Sequence, residues 1–496
     1  MLFSSMIFLW VFLPTVLIVN GLLTFIPFRS EKNRILCKNV FLLLASLFFY
    51  AWGGIYYLLI MLGSILLNFF GGLILHKYEE DHKKQKLALI AVIILNLAML
   101  FFFKYFNMTV VMIESIMEAF NGGPNALLAM LSMKGTGKLG LMEVVLPIGI
   151  SFFTFQAMSY VVDIYQQKAE LQTNVMNFAL YVSLFPQLIA GPIVKYSDVA
   201  LQLNNRKETL DLFLDGQKRF CYGLAKKVLI SNTMAQVVDN IWKTDVSTLG
   251  TPLAWFCALA YALQIYYDFS GYSDMAIGIG KMLGFTFKEN FDYPYTALSV
   301  AEFWRRWHIS LSSWFKEYVY IPLGGNRKGL ACTCLNVLIV FFLTGIWHGA
   351  NFTFLIFGLY YAVLQIIERL FLGKLLQKNP LKFLNVIYTQ LAVMIGWALF
   401  RAENIYRAWD FIKQMFAFTP SGLDAMTHVS MQVLITMLFG ILFCGILQRP
   451  LRPLYKRVRY KLPVMTADLI LQAGLLVVCI LMLASGTYNP FIYFQF

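Results

Sequence analysis

Leu330–Ile367 reads LACTCLNVLIVFFLTGIWHGANFTFLIFGLYYAVLQII. It holds no Lys, Arg, Asp or Glu, and the one side chain in it that titrates near neutral pH is His348. A helix crosses a bilayer in roughly 20 apolar residues, so the run is long enough for two crossings, each barely sufficient. From Leu330 to His348 is roughly 27 Å of helix at about 1.5 Å per residue, which puts the histidine near the turn of a hairpin. Such a group is costly in lipid, so it faces a polar cavity or a partner. A cavity in a locally thin part of the membrane is one reading. A neutral histidine hydrogen-bonded between packed helices is the other.

Working outward, Met1–Phe28, Asn39–Leu75, Leu171–Val194, Val246–Tyr267, Val429–Gln448 and Leu469–Phe496 are also free of charge. Together these runs predict about ten to twelve crossings. Backbone groups must find partners internally in lipid, so the segments are expected to be helices, and the alternating ten-residue strands of a β-barrel are absent. The hydrophobic fraction is 59% and the charged fraction 13%, against roughly 45–50% and 25% in soluble chains. The expected fold class is an all-α integral membrane protein, a single multi-pass domain over 1–496 with re-entrant and interfacial helices. The first segment lacks a basic n-region and its apolar stretch is too long for a signal peptide, so it reads as the first crossing.

The net charge of +14 would suggest nucleic acid in a soluble protein; here the positive-inside rule accounts for it and no nucleic-acid partner is expected. The short basic clusters at Arg29–Lys38, Lys77–Lys86 and Arg449–Lys461 are expected on the cytoplasmic side, placing the N-terminus outside. Asn121–Glu143 is expected to be an outer loop. Leu210–Ile230 alternates apolar residues with Lys218, Arg219, Lys226 and Lys227, a pattern for a helix in the interface. In Leu184–Val194, LFPQLIAGPIV, two prolines and a glycine interrupt an apolar run; a re-entrant element and a kinked helix both fit. The seven cysteines lie mostly in apolar segments and read as packing residues. Cys332 and Cys334 have no second pair to complete a metal site. His76 and His82 share a charged loop, and His428 stands near Asp424; all three read as solvated, and no metal is expected.

His308 lies in FWRRWHISLSSWFKEYVYIPLGGNRKG, after Arg305 and Arg306. The charges and the Trp and Tyr residues of this stretch fit an interfacial aromatic belt. That reading does not explain the histidine. Asn351 follows His348 at i+3 and shares its face if the helix continues. Asp268 and Asp274 flank GYS in an apolar region, where capping and packing compete with a substrate-facing role.

FWRRWHISLSSWFKEYVYIPLGGNRKG and TGIWHGANFTF together resemble the membrane-bound O-acyltransferase (MBOAT) family. Within it the likeness is to the bacterial alginate and peptidoglycan O-acetyltransferase branch. DFSGYSDMAIGIGKMLGF, PIGISFFTFQAMSYVVDIY, FPQLIAGPIVKY and the C-terminal NPFIYFQF follow the same pattern, so the resemblance covers nearly the whole chain. It implies acyl transfer from a cytosolic donor, acetyl-CoA or another acyl carrier, across the bilayer to hydroxyls of an exported polysaccharide. An extracytoplasmic SGNH-like acetyltransferase or esterase is the implied partner, and the bacterial inner membrane the implied location. The family's near-invariant histidine maps onto His348, and its second histidine onto His308. GGNR separates this branch from the teichoic-acid D-alanylation subunit, which remains an alternative, as does a non-catalytic transporter or export subunit.

Acyl transfer to a hydroxyl needs a base and an oxyanion donor. Imidazole suits the first, a role typically worth about 10²- to 10⁴-fold, and it falls to His348. His308 is expected to orient the thioester or assist proton transfer. Asn351 is a candidate oxyanion or orienting group. Arg305, Arg306, Lys226 and Lys227 are candidates for the donor's phosphates, with lipid headgroups as the competing reading. No bound cofactor is expected.

Overall fold

The computed structural model describes residues 1–120, 145–421, 427, 429–486 and 488–492. The expected outer loop at 121–143 and His428 lie outside them. Among the described residues every regular element is helical, the arrangement that satisfies each backbone group within its own segment. Six helices position the site: α1 (His82–Phe120), α2 (Ile150–Tyr165), α3 (Gly250–Met282), α4 (Gly329–His348), α5 (Phe352–Ile367) and α6 (Lys382–Arg401).

Among the described residues, 8 helices are long and apolar enough to cross a membrane, or 9 if the bent pair Met431–Ile446 and Gln448–Val458 is one span. That pair turns through 68° at Gly445, whose φ of 131° suits glycine. The sequence estimate was higher because two apolar runs are protein-buried segments of another kind. Leu171–Val194 divides into Val175–Ser183, the single turn Phe185–Leu188 and non-helical chain. The break is thus a broken segment buried in protein: Ser46 Oγ accepts from Phe185 N at 3.1 Å and Ser310 Oγ from Ile193 N at 3.0 Å. Val246–Tyr267 enters α3, which is almost wholly buried along its second half and carries Asp268 and Asp274.

The helix Leu210–Ala225 does not lie free in the interface. It packs backbone to backbone on α3. A Cβ at Gly278 would meet Gly216 O at 2.6 Å, and one at Gly223 would meet Gly271 O at 2.7 Å. Close approach through small residues is a common way to join helices in lipid. Its basic residues, and those just after it, are paired: Arg219 and Lys226 with Asp274 at 2.8 and 2.6 Å, and Lys227 with Asp268 at 2.5 Å.

The apolar interior has two parts. One gathers Phe152, Phe155, Trp314, Phe315 and Trp347. The other gathers Trp304, Trp307, Phe354, Phe357, Trp397 and Phe400. His308 follows Trp307 of the second part and precedes Leu311 of the first; His348 follows Trp347 of the first and precedes Phe354 of the second. Both histidines lie on the seam.

Gly278→Ala is expected to destabilise the fold by about 1–3 kcal/mol, since backbone on both sides must move. Gly474→Ala, with nothing within 4 Å of its added Cβ, serves as the control. Melting temperatures in detergent measure both, and equal values would refute the glycine contact.

Candidate active site

His308 stands at a helix break. Val300–Arg306 starts on Ser299, whose Oγ accepts from Glu302 N at 3.0 Å. The buried Glu368 carboxylate accepts from Val300 N and Ala301 N at 2.7 and 2.9 Å, as suits the positive end of a helix. The helix stops at Arg306, His308 takes a left-handed φ of 45°, and Ile309–Phe315 begins. A non-glycine residue in that region needs its surroundings to hold it.

Asn290 does so. Its backbone carbonyl accepts from Ile309 N at 2.9 Å. Its side-chain oxygen receives Ser310 Oγ at 2.8 Å and lies 3.2 Å from His308 Nδ1. Its amide nitrogen donates to Ser273 Oγ at 3.0 Å. An amide oxygen only accepts, so His308 carries its proton on Nδ1 and Nε2 is left with a bare lone pair. That Nε2 is buried and has no hydrogen-bond partner. Burial, and then the nearby His348, hold the His308 pKa well below its ordinary value, so the ring is neutral.

His348 is the last residue of α4. The hairpin closes tightly: a Cβ at Gly358 would meet Phe341 O at 2.2 Å, and one at Gly349 would meet the Phe354 ring at 2.3 Å. The imidazole is buried, with ring centroids of Trp347, Phe400 and Phe357 at 5.1, 5.2 and 5.8 Å. Its Nε2 also lacks a partner. The Trp347 indole lies against both imidazoles, 5.8 Å from that of His308. Two buried imidazoles with an unpartnered nitrogen each therefore contact one indole.

The helix does not continue past His348, so Asn351 does not share its face. Asn351 instead caps α5, accepting from Thr353 N at 3.1 Å and donating to Glu403 O at 2.8 Å. Asp268 is held by Lys227 and by Ile492 N at 2.8 Å, which ties the C-terminal segment to α3. Arg306 pairs with Glu302 at 2.6 Å. Arg305 is exposed and lines a cleft of about 440 Å³ with Glu302, Glu368, Arg369, Lys382 and Asn385. A second cleft, of about 540 Å³, is lined by Trp242, Lys243, Arg401, Glu403, Arg407 and Tyr488. α6 runs from the first cleft, at Lys382, to the second, at Arg401; its 20 residues span about 30 Å. Neither cleft is lined by a histidine. Arg305, however, is three residues from His308, and Arg401 follows Phe400, which packs on His348.

Two residues of this region escaped the sequence reading. Asn290 sits in KENFDYPY with no periodicity or charge to single it out. Lys104 donates to the carbonyls of Trp347 and His348 and to Ser151 Oγ; as the lone charge in an apolar run it carries the same signal as His348.

The fold is a multi-pass helical bundle with two imidazoles buried at the seam of its core, and its class is that of a membrane acyltransferase. The profile of the membrane-bound O-acyltransferase family matches residues 48–407, and the chain belongs to that family. It is 40% identical to the probable alginate O-acetylase AlgI of Pseudomonas putida over the whole of both chains. It is 34% identical to the peptidoglycan O-acetyltransferase of Helicobacter pylori, across 84% of this chain and 80% of that one. With the teichoic acid D-alanyltransferase of Bacillus subtilis the identity is 27%, across 44% of this chain and 58% of that one.

Asn290→Asp sets a carboxylate against His308 Nδ1–H. An adjacent negative charge favours the imidazolium, so His308 is expected to titrate at a higher pH than in the parent. Nitrogen chemical shifts of histidine-labelled protein, which has only five histidines, report this. An unmoved titration would show that Asn290 does not face the ring.

Proposed function

We propose that this protein transfers an acetyl group from a cytosolic thioester donor, acetyl-CoA, to hydroxyls of an extracytoplasmic polysaccharide, with His348 as base. The observation that carries this reading is the pair of buried imidazoles, each with a free Nε2, in contact with the one Trp347 indole. The family and its O-acetylating relatives support the acetyl group and the polymer.

In the reaction, His348 Nε2 takes the proton of the acceptor hydroxyl, and the oxygen attacks the thioester carbonyl. The carbon–sulfur bond then breaks, and the thiolate leaves with the proton from the imidazolium, which restores the neutral base. The hydroxyl belongs to the polymer or to an SGNH-like partner that relays the acetyl group. His308, set by Asn290, orients the thioester and assists the proton transfer.

The two clefts give this reaction its sidedness. The one at Arg305, Arg369 and Lys382 adjoins basic helix ends of the kind retained on the cytoplasmic side. It receives the donor's phosphates, with Arg305 as an exposed guanidinium. The cleft at Arg401, Glu403 and Tyr488 lies at the opposite end of α6 and admits the acceptor. Asn351 and Asp268 serve this arrangement by fixing the hairpin turn and the C-terminal segment, and the protein works in the bacterial inner membrane.

His348→Ala is expected to cut polymer acetylation by about 10²- to 10⁴-fold, the usual worth of a general base. His308→Ala is expected to lower it less. Arg305→Ala should raise the KM for acetyl-CoA and leave kcat nearly unchanged. Acetyl esters on the exported polymer, at matched protein levels, measure the first two. Full acetylation by both histidine variants would sink the assignment. Transfer of D-alanine from a carrier thioester, with acetyl-CoA inert, would move the reading to D-alanylation.

A further inference from the structure

Between Leu87 and Ile113 of α1 the only charged side chain is Lys104. A lysine at membrane depth is costly, so it marks a constraint. No carboxylate among the described residues is paired with it. Its Nζ instead donates to Ser151 Oγ of α2 at 3.2 Å, to His348 O at 3.2 Å and to Trp347 O. The next residue, Tyr105, donates its hydroxyl to Ile346 O. Two successive residues of α1 thus hold three successive carbonyls at the end of α4.

Those carbonyls are the ones an α-helix leaves without internal partners, at its negative pole. Water would satisfy them at a surface; inside the bilayer a cation and a hydroxyl must come from another helix. An ammonium has three N–H bonds, and here it meets three protein acceptors. None remains for substrate, which excludes Lys104 as an oxyanion donor or a nucleophile in this geometry. It acts on the site without touching substrate, and the backbone it holds carries His348.

We propose that Lys104 is the positioning residue of the base: it fixes the end of α4 from α1 and thereby sets the His348 imidazole against the acceptor. The proposal rests on the reading of His348 as base. Misplacement of a reacting group by about 1 Å costs on the order of 10²-fold. A base loosened this way loses turnover while donor binding persists.

The test uses the full chain in nanodiscs or in cells with its polymer. Lys104→Met is expected to lower kcat per folded molecule by about 10- to 100-fold, with the donor KM within about twofold of the parent. Lys104→Arg, which keeps the charge and the donors, should recover part of the loss. In a His348→Ala background, Lys104→Met should cost nothing further, because residues that act through one group are not additive. Folded protein is quantified by size-exclusion chromatography, so a purely structural role shows as less protein at unchanged kcat. That result, or equal further loss in the His348→Ala background, overturns the proposal. If Lys104→Met does not accumulate, Lys104→Gln carries the same test and the same two outcomes. Full activity of His348→Ala itself would instead remove the base reading.

Discussion

In a bilayer the carbonyls that end a helix cannot be left to water. α4 ends within the protein, at the buried His348, and its partner α5 begins only four residues later and is folded back on it. Everything near the turn answers that constraint. Lys104 and Tyr105 hold the final carbonyls of α4, and Asn351 holds the first free amide of α5. Phe354 fills the space that a side chain at position 349 would need. A buried helix end costs these polar groups, and in return it gives a side chain a fixed place deep in the protein.

His308 shows the same physics by a different route. Its helix is broken by one left-handed residue, and Asn290 and Ser310 close the hydrogen bonds that the break opens. Because those groups take up Nδ1, the remaining nitrogen is left buried without a partner. The Trp347 indole then spans the two breaks, and the seam between the two apolar regions lets side chains from α2, α4, α5 and α6 meet there.

Membrane residence, helical class and the hairpin were legible in the sequence because charge-free runs translate directly into crossings. The position of His348 at the turn followed from length alone, and the family resemblance singled out both histidines. Other features depended on partners distant in the chain. Whether Asn351 faced the site or capped a helix turned on where α4 stopped. The pairing of Lys227 with Asp268, and the close contact of Gly216 with Gly278, join segments whose patterns separately read as an interfacial helix and a broken span. The apolar run Leu171–Val194 had the composition of a crossing, yet its two prolines and glycine divide it. Lys104 was visible as an isolated charge, but its meaning lay 243 residues away.

Polar function and broken backbone therefore go together in this fold. An uninterrupted helix in lipid has no need of polar side chains and exposes no backbone to organise them. Where a helix stops at membrane depth, its open amides and carbonyls call for Asn, Ser, Lys or Glu, and a water-free polar site comes into being. Glu368 at the start of Val300–Arg306, Asn290 at the break after it and Lys104 at the end of α4 are three such answers. The histidines sit at two of the three, where the backbone is held from outside its own helix. A base placed mid-helix would share that helix's freedom to shift and rotate; one placed at a clamped end moves only if the clamp opens.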